Sequence, residues 1–134
     1  MRPVHFEIHA EDPDRCGEFY KKVFGWEINK MDMGDFSYWI VVTGQEGTPG
    51  INGGIVKRMG KNPDPKEPTP VIGYVSTIEV EDIDETIKKI EDAGGIAALP
   101  KDTIPGVGLL AYYKDTESNI FGILQPEPRQ QNIV

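Results

Sequence analysis

The sequence predicts an α+β domain in which a strand–helix–strand–strand–strand unit occurs twice. The first observation is an alternating segment, residues 4–10, followed by an acidic helix start and a proline at the first helical position. The second is that this order returns with a fixed offset of 70 residues. The matched pairs are Ile8 with Ile78, Glu11 with Glu81, Asp12 with Asp82, Asp14 with Asp84 and Gly25 with Gly95. Any two strand–helix junctions can share an acidic cap, but here the cap, the helix length and the final glycine keep one offset, which indicates an internal duplication.

The first module begins with a half-buried strand. Alternation places Phe6, Ile8 and Ala10 on one face, and the polar residues His5, Glu7 and His9 on the other. The helix that follows carries an apolar stripe and ends at a glycine. The stripe consists of Cys16, Phe19, Tyr20, Val23 and Phe24. Three further strands are predicted at residues 26–31, 36–43 and 51–57.

The second module follows a proline-rich segment. Residues 59–70 contain four prolines and no apolar period, which predicts an exposed linker. A strand at 72–80, a helix with a capping box at its start, and strands at 96–99, 108–114 and 120–124 complete the pattern. We therefore expect a single domain with module one at about residues 1–58, the linker at about 59–70, module two at about 71–127 and a short tail at 128–134.

Composition narrows the function classes. A chain of 134 residues fits one domain that buries its own core. The net charge of −8 and the scattered basic pairs argue against nucleic-acid binding, which needs clustered Lys and Arg. The single cysteine, Cys16, excludes an internal disulfide, and no apolar run reaches the length of a signal peptide core or a membrane span. We expect a cytoplasmic protein with no membrane partner.

Five segments resemble the vicinal-oxygen-chelate superfamily, the group of glyoxalases, bleomycin-resistance proteins and extradiol dioxygenases. They are HFEIHAEDPDRCGEFYKKVFGWEI (5–28), YWIVVTG (38–44), PGINGGI (49–55), VEDIDETIKKIEDAGG (80–95) and DTESNIFGILQP (115–126). The resemblance covers nearly the whole chain. It implies that two βαβββ modules form a curled mixed sheet, a cup that holds the ligand, often near a homodimer interface.

The resemblance also implies four metal-ligand positions, one on the first and one on the last strand of each module. His5 matches the first position. Its partner in the second module falls on Val75, or on Tyr74 if the register slips by one, and the last-strand positions fall at about Asn52 and Gly122. Valine and glycine offer no donor atom, and Asn or Tyr is a weak ligand for a hard cation. We therefore expect the usual metal centre to be absent or much altered.

A second arrangement around His5 uses its neighbours on the same strand face. Two imidazoles and a carboxylate, from His5, Glu7 and His9, are a set that suits Zn or Fe. However, three same-face residues span about 13 Å at about 3.3 Å per residue, which hinders their convergence on one ion. We predict that His5 and Glu7 line the pocket as polar groups, and His5 is retained as the metal ligand of the alternative.

Other candidate contacts come from the aromatic strands. One of Tyr38 and Trp39 is expected to line the pocket and the other to pack in the core, and Trp39 is assigned to the ligand. Asn52, next to two glycines, is expected to face the pocket. Tyr112 and Tyr113 lie on opposite faces, and Tyr112 is assigned to the cup. Cys16 is expected to be a core residue.

Three functions compete. The first is a binding module for a small, partly apolar molecule that needs no cofactor. The second is a divalent-metal-dependent lyase, isomerase or dioxygenase in which His5 is a ligand and Glu7 moves protons. The third is a structural role through homodimerisation, which can coexist with the others.

Overall fold

The computed structural model describes residues 1–32, 34–68 and 70–128 as strands, helices and connecting segments. The first half contains β1 (His5–Ala10), α1 (Pro13–Phe24), β2 (Glu27–Asp32), β3 (Ser37–Val42) and β4 (Asn52–Lys57). The second half contains β5 (Thr77–Glu79), α2 (Ile83–Asp92), β6 (Ile96–Ile104), β7 (Gly108–Lys114) and β8 (Ile120–Pro126). Most of the predicted tail, residues 129–134, lies outside the described residues.

The strands form two four-stranded sheets with the same internal order. Sheet one runs β1-β4-β3-β2 and sheet two runs β5-β8-β7-β6. In each sheet the first strand of the module pairs in parallel with the last, and the other pairs are antiparallel. The register repeats as well, since Ile8 lies opposite Ile55 and Ile78 lies opposite Ile123. The predicted α+β fold of two βαβββ modules is confirmed.

Both helices begin as the sequence predicts. The Asp12 carboxylate accepts a hydrogen bond from the Arg15 N–H, and the Asp82 carboxylate accepts one from the Glu85 N–H. Each bond satisfies an N–H that has no partner within the helix, and the negative charge suits the positive end of the helix dipole. Gly25 ends α1 with φ 71°, a conformation that favours glycine. The 70-residue offset therefore relates equivalent N-caps, Asp12 and Asp82. It does not relate the helix ends, because the left-handed glycine after α2 is Gly94 and not the expected Gly95.

The helices pack on one face of each sheet, and their apolar side chains form a core shared by both modules. Phe19 and Tyr20 of α1 contact Phe121 of β8, with ring centroids 5.9 and 6.0 Å apart. Cys16 is fully buried in this core, as predicted. Fully burying a phenylalanine side chain contributes about 1.5–3 kcal/mol. The junction between the modules is therefore a packed apolar core.

Strand β5 is shorter than predicted. A strand was expected over residues 72–80, but only three residues pair with β8 as a strand. The backbone bonds to β8 begin at Ser76, whose carbonyl accepts from the Gly122 N–H, and end at Val80. Ile72 and Tyr74 precede this partner and are exposed. Apolar and other residues alternate here as they do in a strand, but a strand also requires backbone hydrogen bonds to a neighbouring strand.

The linker differs from the prediction in its contacts. It forms no helix or strand in the described residues 59–68 and 70, as expected, but it is not free. The Lys114 ammonium donates to the carbonyls of Pro65 and Glu67, and the Ser118 hydroxyl donates to the Pro63 carbonyl. The segment is thus docked on the β7–β8 turn.

Strand β6 is longer than the predicted residues 96–99. It continues to Ile104 through two register shifts against β7. In the described part of the chain, neither helix has the length and apolar character required to cross a bilayer.

Candidate functional site

The open face of sheet one, which is the face turned away from α1, gathers polar and apolar side chains from all four strands. Strand pairing places on it His5, Glu7, His9, Glu27, Asn29, Met31, Tyr38, Ile40, Val42, Asn52, Gly54 and Val56. His5, Glu7 and Asn52 therefore lie on the same face of sheet one. Such a mixture of apolar surface and a few polar groups is typical of small-molecule sites.

The centre of this face is a hydrogen-bonded pair. The Tyr38 hydroxyl lies 2.6 Å from His5 Nε2, with the two rings nearly parallel and their centroids 6.4 Å apart. The tyrosine ring covers Gly54, where a Cβ would stand 2.0 Å from the Tyr38 oxygen. Glycine at position 54 is therefore what permits the ring to reach His5. Burial, and then the nearby Glu7 charge, raise the pKa of Tyr38, so the phenol stays protonated.

A second polar pair continues along β1. His9 Nε2 lies 3.0 Å from Glu7 Oε1, and the two side chains are 53% and 46% exposed. Both remain accessible to a ligand. The alternation of β1 places them on the same face as His5, but each histidine has its own partner.

Asn52 lies beside His5 on the neighbouring strand, yet its side chain serves the adjacent loop. Its Oδ1 accepts from the Thr43 N–H at 2.9 Å and lies 3.3 Å from the Thr43 hydroxyl. The hydroxyl also donates to the Ile51 carbonyl at 2.8 Å. These bonds close the base of the β3–β4 loop, which with Asn52 encloses a shallow cavity of about 310 Å³. The Asn52 amide thus clamps the loop, and the residue lines this cavity at the edge of the open face.

The structure separates Trp39 from the other predicted contacts. Its indole lies on the α1 side of sheet one, is 8% exposed and donates from Nε1 to Asp14 at 2.9 Å. Lys30 stands over the same ring, 5.2 Å from the centroid. The assignment of Trp39 as a ligand contact is therefore wrong, because its side chain lies on the buried side of the sheet. Tyr38, the other member of the pair, is the aromatic residue on that face.

Tyr112 belongs to the corresponding open face of sheet two. A Cβ at Gly122 would stand 3.1 Å from Tyr112 Cε1 and 3.1 Å from Thr77 Oγ1, so both side chains flank this glycine. Each sheet therefore carries a tyrosine over a glycine of its last strand.

The strand pairing also corrects one assumed ligand position. Gly122 lies opposite Thr77, and the pairing of Ile78 with Ile123 makes Gly122 the equivalent of Gly54. By this register, the position equivalent to Asn52 is Ile120. Isoleucine offers no donor atom either, so the inferred gap in the ligand set is unchanged.

The side chains present do not fit the metal centre that the resemblance implies. His5 Nε2 is engaged by Tyr38 and Asn52 Oδ1 by Thr43, while Val75 and Ile120 are aliphatic. Within the described residues, no three His, Cys, Asp or Glu side chains are grouped closely enough to hold an ion. Of the set on β1, Glu7 and His9 contact each other, whereas His5 is bonded to Tyr38.

A polar junction, undetected from the sequence, joins the two modules behind the open faces. The Glu117 side chain is fully buried, and it accepts from Arg15 Nε at 2.8 Å, from Arg15 Nη2 at 2.9 Å and from the Asp12 N–H at 2.9 Å. Asn62 of the linker donates to the same carboxylate at 3.1 Å. Burial opposes ionisation of Glu117, but these bonds outweigh it and lower its pKa to about 2.

Asp115 orders the β7–β8 turn next to this junction. It is 2% exposed and accepts from the Glu117 and Asn119 N–H groups and from the Tyr20 hydroxyl, the last at 2.8 Å. Burial raises the pKa of Asp115 in spite of these bonds. Burial also raises the pKa of Cys16, which keeps the thiol protonated and agrees with its role in the core.

Comparison with known proteins agrees with this architecture. Residues 2–44 match the family model described as bleomycin resistance protein-like N-terminal. The chain is 30% identical over 125 residues to proteins named "Putative glyoxylase CFP32" from Mycobacterium bovis and Mycobacterium tuberculosis. The matches cover 92% of this chain and 44% of those proteins. The chain thus spans less than half the length of the curated relatives it matches.

Solved structures share the fold at low sequence identity. A glyoxalase I variant from Zea mays superposes with a TM-score of 0.72 at 20% identity, over 95% of this chain and 46% of the other. A glyoxylase/bleomycin resistance protein/dioxygenase domain from Frankia sp. EAN1pec gives a TM-score of 0.70 at 18% identity, over 95% and 99% of the two chains. The chain therefore resembles bleomycin-resistance proteins in sequence over residues 2–44, and it shares the fold of glyoxalase and bleomycin-resistance proteins over nearly its whole length.

Proposed function

We propose that this chain binds a small, partly apolar molecule on the open face of sheet one, without the usual metal centre of the superfamily that its sequence resembles. The observation that carries the proposal is the Tyr38–His5 pair over Gly54. It presents an aromatic ring, a phenol and an imidazole on an accessible surface. Ile40 and Val56 lie on the same face and are partly exposed, which supplies the apolar contact area that small ligands need.

The side chains at the four expected metal-ligand positions favour ligand binding without a metal over metal-assisted catalysis. The one histidine that matches the family pattern is already hydrogen-bonded to a phenol, and the neighbouring Asn52 is committed to the loop base. Recruiting either group to a cation would break these bonds, and the aliphatic side chains at the other two positions would add no ligand. The binding function that we propose does not require a complete set of metal-coordinating side chains.

A thermal-shift screen tests this proposal directly. A ligand that binds only the folded state stabilises it by about 2.7 kcal/mol at a concentration one hundredfold above its Kd. We expect at least one small planar compound to raise the Tm of the wild-type protein. The same compound should have a reduced effect on Gly54→Ala, in which the new Cβ displaces Tyr38 from His5.

The matched control is Gly73→Ala, because nothing lies within 4 Å of a Cβ at that position. Each variant is compared with its own ligand-free Tm, so a loss of stability alone does not imitate a loss of binding. Tyr38→Phe serves as a second probe if Gly54→Ala fails to fold. A screen in which no compound stabilises the wild-type protein, or one in which all variants respond equally, would contradict the proposal.

The alternative is a divalent-metal-dependent lyase, isomerase or dioxygenase that uses His5 as a ligand. It is favoured by the exposure of His5 and Glu7 on one strand face, and by the glyoxylase name of the curated relatives. In this case Glu7 would move protons beside a metal that polarises a substrate oxygen. Elemental analysis of untagged protein after incubation with Ni, Zn, Fe or Mn decides this point. Stoichiometric uptake that His5→Ala abolishes would support the alternative.

We also infer that the chain forms a homodimer with twofold symmetry. Apolar side chains in the segment before β5 support this, since Val71, Ile72 and Tyr74 are 53%, 93% and 107% exposed. Two copies could bury these side chains together. Sedimentation equilibrium should give twice the mass of the 14.9 kDa chain, and Ile72→Glu should shift the protein towards monomer. A wild-type monomer at high protein concentration would refute the inference.

A further inference from the structure

Exposed glutamate side chains lie on the open faces of both sheets. On sheet one, Glu7 and Glu27 point to the open face, and on sheet two Glu79 does the same from beside Leu124. All three residues are exposed. The carboxylates therefore contribute negative potential where the two tyrosines are also presented.

Every lysine of the described strands is engaged elsewhere. Lys30 stands over the Trp39 ring on the α1 side, and Lys57 donates to the Glu11 carbonyl. Lys101 pairs with Asp84 of α2 at 2.6 Å, and Lys114 is buried against the linker carbonyls. The described strands contain no arginine. Neither open face therefore presents a free Lys or Arg side chain from its strands.

We propose that the ligand of the open face on sheet one is a planar organic cation, such as an aromatic amine or amidine, held between the Tyr38 ring and the Glu7 carboxylate. This proposal rests on the proposed function and specifies its ligand class. A cation gains from the ring face of a tyrosine and from an adjacent carboxylate. A phosphate, carboxylate or other anionic ligand would meet Glu7 and Glu27 without a strand Lys or Arg to neutralise it.

The uneven distribution of charge is the reason to choose a cation over a neutral ligand. A chain with a net charge of −8 attracts cations weakly over its whole surface. Directed binding needs the negative groups to stand beside the aromatic surface, and the strand register places Glu7 within the same four-strand face as Tyr38. Burial, and then the nearby Glu7 charge, raise the pKa of the Tyr38 phenol, which agrees with their position on one face.

Fluorescence titration with matched probes tests the proposal. The probes are proflavine, a planar cation, and anthracene-9-carboxylate, a planar anion of similar size. The titrations are made at mildly alkaline pH. We expect proflavine to bind at least about fivefold more tightly than the anion, and Glu7→Gln to weaken proflavine by up to about fivefold, the effect of losing one partly exposed ion pair. Glu18→Gln, on the exposed side of α1, removes the same charge away from the site and should leave the affinity nearly unchanged.

The outcomes separate this proposal from the one on which it rests. If both probes bind equally and Gly54→Ala weakens both, the open face binds small molecules but does not select cations, and the charge proposal is wrong. If Glu7→Gln and Glu18→Gln weaken proflavine equally, only the net charge attracts it, which also overturns the proposal. If neither probe binds and the wider screen finds no ligand, the proposed binding function fails as well.

Discussion

Truncating Glu117 to alanine should be one of the most damaging single substitutions outside the apolar core. The change removes a fully buried carboxylate that joins α1, the linker and the β7–β8 turn. It leaves the Asp12 N–H and the Asn62 amide without their acceptor and opens a cavity between the modules. Loss of one partner of a buried ion pair costs about 3–5 kcal/mol. Because Arg15 is 52% exposed and can turn towards water, we expect the lower end of this range, about 3 kcal/mol.

Urea unfolding followed by circular dichroism measures this cost. The midpoint should fall while the slope of the free energy against urea stays unchanged, because the folded topology is kept. For a chain of this size, about 3 kcal/mol corresponds to a fall in Tm of about 10 °C. Glu117→Gln keeps the shape and one acceptor oxygen but places an NH₂ group near the Arg15 donors, so it should cost less, about 2 kcal/mol.

The control is Glu18→Gln, which changes an exposed carboxylate of α1, the helix that carries Arg15, and should alter stability by less than about 0.5 kcal/mol. A cost below about 1 kcal/mol for Glu117→Ala would refute the reasoning. It would mean that the carboxylate is not the shared acceptor that holds the modules together.

Three further predictions concern the hydrogen bonds of Glu117, Asn52 and Tyr38. The pKa of Glu117 is lowered from 4.5 to about 2, so its ionised form stabilises the fold above about pH 4.5 and this stabilisation is lost as the pH falls towards 2. The difference in unfolding free energy between wild type and Glu117→Gln should therefore shrink over that pH range. Urea unfolding at several pH values measures it. Asn52→Ala should cost about 1 kcal/mol and speed hydrogen exchange at the Thr43 amide, whereas Asn52→Asp, which keeps the acceptor oxygen, should protect that amide; equal exchange in both variants would argue against the loop clamp. Tyr38→Phe should shift the NMR resonances of the His5 ring and leave those of His9 unchanged, because only His5 is bonded to the phenol; an unmoved His5 signal would contradict the pair.

The elements that could be predicted from the sequence are those with local signals. Asp12, Pro13 and the apolar stripe define α1 without reference to the rest of the chain, and the alternation of β1 separates His5 and Glu7 from the core. The 70-residue offset then transfers the same assignment to α2. These signals depend on periodicity and capping, which act within a few residues.

The missed features depend on partners distant in sequence. Tyr38 and Trp39 occupy alternate positions of one strand, and alternation alone does not say which faces the helix; the bond from Trp39 to Asp14 decides it. The end of β5 is set by where β8 offers hydrogen bonds, and the linker is fixed by backbone carbonyls that any residue can supply. Glu117 lies in a turn without periodicity, so no pattern distinguished it from an exposed acidic residue.

The most direct test of the central claim is a thermal-shift titration of one stabilising ligand, made with and without EDTA. We predict the same rise in Tm in both conditions, because we propose that ligands bind on the Tyr38–His5 face without a metal ion. A rise that appears only when a divalent metal is added, and that disappears in His5→Ala, would contradict metal-free binding and support the metal-dependent alternative.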